Sequence, residues 1–287
     1  MSATTSMVGR VCMITGANGG IGKETALALA EMGATVIIVA RDLEKGRVAL
    51  TDVRQRSGND QVELMVADLA SLDAVRRLAA EFREKNQQLH VLVNNAGAYN
   101  AQRSLTEDGF EMTFGVNHLA HFLLTDLLLN TLKASAPARI INVSSGAHTR
   151  ATIAFDGLRG ERKYAGMSAY GQSKLANVLF TYELARRLDG AGVTVNCLHP
   201  GVIRTGFGRN NSGIWGALFR VFHTVARPVL LTPEQGAQTS IYLASSPDVE
   251  GVTGKYYVKR EPIQSSDLSY DTDVAQRLWQ VSEQMVT

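Results

Sequence analysis

Seven short apolar runs, rich in β-branched residues, recur along the chain: "RVCMITG" from position 10, "TVIIVAR" from 35, "QVELMVAD" from 61, "HVLVNNAG" from 90, "RIINVSS" from 139, "VTVNCLHPG" from 193 and "GKYYVK" from 254. Their largely continuous apolar character predicts strands covered on both faces, as in a parallel sheet. Longer stretches with helical spacing lie between them: "IGKETALALAEMG", "LEKGRVALTDVRQRSG", "SLDAVRRLAAEFREKN", "HLAHFLLTDLLLNTL" and "SAYGQSKLANVLFTYELARRL". Strand and helix in alternation predict repeated βαβ units and hence an α/β fold. The sheet would be doubly wound and parallel, of about seven strands, with helices on both faces. Asp42 and Ser71 stand where helix N-caps belong, and Gly33 follows a helix as a C-terminal stop. Residues 269–286 predict a final helix docked on the body, preceded by an extended segment.

No linker, repeat or low-complexity tract interrupts this rhythm between residues 9 and 258, so one domain is expected over 1–287. Residues 1–8 are expected to be a flexible start and residues 260–287 a C-terminal extension. At 45% hydrophobic and 20% charged, the 287-residue chain has ample material for a core, which excludes a disordered protein. With 29 basic against 27 acidic residues the net charge is +2, too weak a field to predict nucleic acid or anionic lipid as partner. Cys12 and Cys197 lie within strand runs and read as buried thiols of a reducing compartment. The N-terminal "MSATTSMVGRVCMITG" has no basic segment followed by an apolar stretch, and no window reaches the length of a membrane span, so a cytoplasmic location is expected.

The first chemical signal is "MITGANGGIGKETA", between the first strand and the first helix. Glycines there let the backbone turn sharply and approach a pyrophosphate, while the free N–H groups of the helix start face the anion. The spacing is ambiguous: Gly16, Gly20 and Gly22 fit one pattern, and Gly16, Gly19 and Gly22 fit another. The second strand ends "VIIVARD", with Ala40 where a carboxylate selecting NAD would stand and Arg41 next to it. A guanidinium there pairs with a 2′-phosphate, which favours NADP over NAD, unless Asp42 points inward instead of capping a helix.

Ligands of an open α/β sheet lie beyond the carboxyl ends of its strands. Those ends carry Asp68 in "VADLA", "NNAG" at 94–97, "NVSS" at 142–145 and "HPG" at 199–201, while helices contribute Asn117 in "FGVNHLAHF" and the i,i+4 pair of "YGQSK". Together these segments resemble the classical short-chain dehydrogenase/reductase family, a single-domain Rossmann fold, over nearly the whole chain. "ARDLEKG", "HLAHFLLT" and "YGQSKLANVLFTYELARRL" look most like its retinol dehydrogenase-like group, whose members handle bulky apolar alcohols, aldehydes and ketones, usually with NADP.

The resemblance implies a catalytic tetrad of Asn117, Ser145, Tyr170 and Lys174, with Tyr170 moving a proton to or from the substrate oxygen and Ser145 holding that oxygen. Asn117 would hold a helix backbone open for a water relaying protons from Lys174. A phenol titrating near 10 needs its anion stabilised by about two to three units, roughly 3–4 kcal/mol, to act as a base at neutral pH. An ammonium about 4 Å away supplies about 4 kcal/mol at an effective dielectric near 20, so Lys174 is expected to make Tyr170 acidic. Ser144 and Ser145 alternate along the strand end, so only one of them faces the pocket. The 25 residues from Ser145 to Tyr170 exceed the usual family spacing and mark "HTRATIAFDGLRGERKY" as an insertion.

Cofactor contacts implied by the resemblance fall on Gly16, Asn18, Gly19, Gly20, Ile21 and Gly22 of the loop, on Arg41, Asp68 and Leu69, and on Asn94, Ala96 and Gly97. They continue through Tyr170 and Lys174 to Pro200, Gly201, Ile203 and Thr205. Residues 205–230 would form a substrate lid, in which Phe207, Trp215, Leu218, Phe219 and Phe222 either face an apolar guest or pack on the body. His118 and His121 lie three apart, but no third ligand stands at a recognisable spacing, so no metal site is expected. The function implied is an NADP(H)-dependent oxidoreductase of a small-molecule carbonyl or alcohol, as a homodimer or homotetramer. C=C (enone) reduction, or NADP sensing without turnover, are the alternatives on the same scaffold.

Overall fold

The computed structural model describes residues 6–158, 164–203 and 230–287. Its sheet has the order β3-β2-β1-β4-β5-β6-β7-β8. The strands are β1 (Val11–Thr15), β2 (Thr35–Ala40), β3 (Val62–Val66), β4 (Val91–Asn94), β5 (Ala138–Val143), β6 (Val193–His199), β7 (Tyr256–Val258) and β8 (Glu261–Ile263). The seven expected strands pair in parallel, and β8 is an addition that runs antiparallel to β7. A two-residue turn joins those two, with Lys259 and Arg260 both left-handed at φ 54° and 70°. The reversal of strand order between β1 and β4 opens a crevice at their carboxyl ends, where an α/β sheet binds its ligand.

Alternation along β1 decides which layer each residue joins. Cys12 and Ile14 face one core layer with Val36, Ile38, Leu27 and Leu29, and Met13 faces the other with Ile37, Leu92 and Leu124. Helices α1 (Gly20–Glu31) and α2 (Leu43–Ser57) cover the first face, joined by α7 (Pro233–Ser245). Helices α3 (Leu72–Lys85), α5 (Ala120–Ala134), α6 (Gly166–Arg187) and α8 (Thr272–Val286) cover the second. The Asp42 side chain accepts the Lys45 N–H and that of Ser71 accepts the Ala74 N–H, so both N-caps stand as the sequence places them. Gly33 turns left-handed at φ 87° directly after α1. Helix α7 was not among the predicted helices; it begins at a capping box of Thr232 and Gln235 with Pro233 at its first position.

The expected helix around Asn117 has a defect at its start. A three-residue α turn, α4 (Met112–Phe114), passes into a π segment at Gly115–Leu119 before α5 continues. Single π turns inside helices concentrate at functional sites, and this one centres on Asn117. The final helix α8 docks as expected. Trp279 lies 4.9 Å from the Phe122 ring and 5.8 Å from that of Phe180, and Ser282 meets His118 Nε2 at 2.9 Å. Burial of Leu278 and Trp279 contributes roughly 2–3 kcal/mol each. The segment before it is extended through β8 and closes with a 3-10 turn at Asp267–Tyr270.

Cys12 and Cys197 are buried free thiols, pushed up to about 12 by burial and thus unreactive. No described helix is long and apolar enough to cross a membrane. The expected flexible start falls largely on residues 1–5, outside the described residues.

Candidate active site

Backbone geometry resolves the glycine ambiguity in favour of Gly16, Gly20 and Gly22. Gly16 and Gly20 are left-handed, at φ 66° and 56°. A Cβ on Gly16 would lie 2.9 Å from Ala96 Cα, and one on Gly22 would meet the Asn95 amide and stand 2.7 Å from the Gly16 carbonyl oxygen. Gly19 is fully extended, a conformation open to any residue, with no atom within 4 Å of a Cβ placed there. Gly22→Ala is therefore expected to cost roughly 2–4 kcal/mol of stability and Gly19→Ala less than about 1 kcal/mol, as measured by urea unfolding.

Gly19 caps α1 without a side-chain bond, and the first turn of α1 carries no acidic residue, so the helix start has unspent N–H groups for an anion. The loop is held by Thr15, whose Oγ accepts the N–H of Asn95 at 2.9 Å and of Ala96 at 3.0 Å. Asn95 Nδ2 returns a bond to the Thr15 carbonyl at 2.7 Å. The side chain of Asn94, a residue expected at the cofactor, is turned away from the crevice. It is wholly buried, donating to Thr125 Oγ1 and Asn142 Oδ1, because strand parity turns it into the core and leaves Asn95 beside the glycine loop. Half-buried Ala96 and exposed Gly97 remain at the crevice.

Of the four residues expected as a tetrad, Ser145, Tyr170 and Lys174 come together at the end of β5 and the first turns of α6, and Asn117 stands on the π turn. Asn117 is fully buried and clamps Ala98: its Oδ1 accepts the Ala98 N–H at 2.6 Å, while Nδ2 donates to the Ala98 carbonyl at 3.0 Å and to Ser173 Oγ at 2.9 Å. Ser144 is 2% exposed and donates to the Lys174 carbonyl, whereas Ser145 shares a hydrogen bond with the Tyr170 hydroxyl. Of the two serines, Ser145 is thus the one beside the Tyr170 hydroxyl. Lys174 is 3% exposed; its Nζ donates to the Val143 carbonyl at 2.9 Å and lies 5.7 Å from the Tyr170 ring centroid. The ring edge of Tyr99 packs on Tyr170, with centroids 6.0 Å apart.

The titration of the pair corrects an expectation. Burial pushes Tyr170 up to about 12, with the Ser145 hydrogen bond pulling the other way. Desolvation lowers Lys174 to about 8. The Lys174 ammonium is engaged by the Val143 carbonyl, and desolvation outweighs its effect on the phenol. At neutral pH Tyr170 is a neutral phenol beside a buried cation, an arrangement suited to donating a proton.

Among the described residues, 3-10 turns at Gly146–Arg150 and Phe155–Gly157 mark the start of the insertion, which meets the C-terminal extension. His148 Nδ1 donates to the Ser145 carbonyl at 2.7 Å and its Nε2 accepts the Ser266 N–H at 3.3 Å, while Arg277 lies 4.1 Å over the Phe155 ring. His148, three residues beyond Ser145, carried no sequence signal of this tie.

At the carboxyl end of β2, Arg41 is exposed and Asp42 is committed to its helix cap. Asp68 Oδ1 accepts the Ala70 N–H at 3.0 Å, and Leu69 is buried beside it. Half-buried Asn18 and Ile21 lie on the glycine loop and the start of α1. After β6, Pro200 and Gly201 are half-buried, Gly201 is left-handed at φ 92°, and buried Ile203 bridges to Leu231. Thr205 and the lid residues Phe207, Trp215, Leu218, Phe219 and Phe222 lie outside the described residues. His118 and His121 point to different partners, and among the described residues no group of three potential ligands could hold a metal.

Comparison with known proteins adds to this geometry. The family pattern described as short chain dehydrogenase matches residues 10–213. The human protein retinol dehydrogenase 13 is 49% identical over 283 residues, covering 97% of this chain and 85% of that protein. The crystal structure of an uncharacterized protein from Mycobacterium Paratuberculosis superposes with a TM-score of 0.79 at 36% identity, covering 98% of this chain and 95% of that one. The Pseudomonas aeruginosa RhlG/NADP active-site complex gives a TM-score of 0.69 at 29% identity, covering 89% and 96%.

Proposed function

This chain belongs to the short-chain dehydrogenase family and is an oxidoreductase acting on alcohol or carbonyl groups, and from that premise we propose an NADP(H)-dependent enzyme of bulky, mainly apolar substrates. The observation that carries the proposal is Tyr170, hydrogen-bonded to Ser145 and lying beside the buried Lys174. The dinucleotide fits: the loop at Gly16 and Gly22 has no room for a Cβ, and α1 presents uncapped N–H groups toward the crevice. Bound there, the nicotinamide supplies or accepts the hydride. Tyr170 gives its hydroxyl proton to the substrate oxygen during reduction, and Ser145 holds that oxygen by a second hydrogen bond. The buried Lys174 ammonium beside the ring then stabilises the phenolate as its counter-charge.

The preference for NADP rests on Arg41, exposed at the end of β2, with Asp42 occupied as a cap. An apolar guest is supported by the relatives named retinol dehydrogenases and by the Tyr99 ring against Tyr170. The test is NADPH oxidation, followed by absorbance, with aldehydes and ketones of graded size; absence of turnover across the set would sink the proposal. Arg41→Ala is expected to weaken NADPH binding by about tenfold or more while changing NADH binding by less than about threefold. An equal loss for both dinucleotides would remove the 2′-phosphate argument.

A further inference from the structure

His121 is 2% exposed on α5, four residues after Asn117. Its Nδ1 lies 3.1 Å from the Asn117 carbonyl oxygen, which can only accept, so Nδ1 carries the ring proton and Nε2 offers a lone pair. Nε2 lies 3.1 Å from Thr15 Oγ. That hydroxyl already spends both lone pairs on the N–H groups of Asn95 and Ala96. Its single proton has two takers, the Val93 carbonyl at 3.4 Å and the nearer His121 Nε2. Burial first, and the Lys174 ammonium second, lower the imidazole to about 3, which preserves the neutral form this arrangement needs.

We infer that His121 is a positioning residue that fixes the Thr15–Asn95 cofactor loop at one ring nitrogen and the Asn117 backbone of the tetrad at the other. The inference rests on the oxidoreductase reading and extends it. One imidazole bridges the end of β1 to the π turn, so it sets where the dinucleotide loop stands relative to the tetrad. The Asn117 side chain is engaged by Ala98 and Ser173, and its peptide oxygen meets the ring of His121.

The two bonds can be removed separately. In His121→Asn the amide nitrogen takes the place of Nδ1 and keeps the bond to Asn117. In His121→Gln the amide oxygen takes the place of Nε2 and keeps the bond to Thr15. His121→Phe removes both. By fluorescence titration, Asn is expected to weaken NADPH binding by about fivefold to tenfold and Gln by less than about twofold. At saturating NADPH the order reverses, with kcat reduced by about tenfold in Gln and nearly unchanged in Asn, and Phe is expected to show both losses. A buried histidine with no directed role predicts instead that all three lose stability while NADPH affinity and kcat change together, and that pattern overturns the inference. Should the wild type turn over no carbonyl or alcohol, the enzymatic reading falls, and the NADPH titrations alone then support or overturn the tie to the cofactor loop.

Discussion

Tyr170→Phe is expected to reduce turnover by about three orders of magnitude while NADPH affinity stays within about threefold of the parent. The substitution removes one oxygen and its proton. The ring that packs edge-on against Tyr99 and lies 5.7 Å from Lys174 Nζ is retained, so the pocket keeps its shape. Removing a partly buried hydroxyl also removes its desolvation cost, which offsets the lost bond to Ser145 and leaves stability within about 1 kcal/mol. The readouts are steady-state NADPH oxidation, NADPH fluorescence titration and urea unfolding. Survival of turnover would show that the proton comes from another group. Loss of NADPH binding would place Tyr170 in cofactor recognition instead of proton transfer. Ser145→Ala provides the matching arm: it keeps the Tyr170 proton donor and removes one bond to the substrate oxygen, so it should lose about tenfold to hundredfold less than Tyr170→Phe.

Much of this arrangement is legible in the sequence because it is set by local geometry. A spacing of four on a helix places Tyr170 and Lys174 on one face, and the glycine run between strand and helix needs no distant information. Asp42 is likewise readable as a cap, and its commitment to the Lys45 N–H is what leaves Arg41 as the charge at that corner. Strand parity is different. Whether Asn94 or Asn95 faces the crevice depends on where β4 stops, and that is decided by register with β1 and β5. The edge strand β8 is exposed along its length and carries no apolar pattern, and the left-handed turn before it uses Lys259 and Arg260 where glycine or asparagine would have signalled it. Helix α7 has a readable start in "TPEQ", yet Gly236 within it packs against Ile203, a contact that only the fold creates. The acidity of Tyr170 is the least local property of all. Proximity to a cation argued for a lowered value, and the density of protein around the ring reverses the sign.

Lys174→Met is expected to give a protein that is more stable at neutral pH and nearly inactive. The unfolded lysine titrates at 10.5 and the folded one at about 8, so folding favours its neutral form. At pH 7 the side chain is charged in both states, and the desolvation cost is then fully present. A shift of this size corresponds to about 3 kcal/mol. Methionine fills the space of the stem without the charge, but leaves the Val143 carbonyl with the 3.5 Å contact to Asn177 Nδ2 in place of its 2.9 Å bond, at a cost of about 1 kcal/mol. The net gain is about 2 kcal/mol at pH 7. Between about pH 8 and 10.5 the unfolded chain binds more protons at this site than the folded one, so the wild type gains stability there as pH rises. The variant's advantage should therefore shrink across that window, a difference that urea unfolding at pH 7 and pH 10 measures directly. Turnover should fall by about a hundredfold or more, because the phenolate left by proton donation loses its counter-charge. A variant less stable than wild type at pH 7 would mean that the buried ammonium is held by more than the Val143 carbonyl, and the cost assigned to keeping a charge beneath Tyr170 would be wrong.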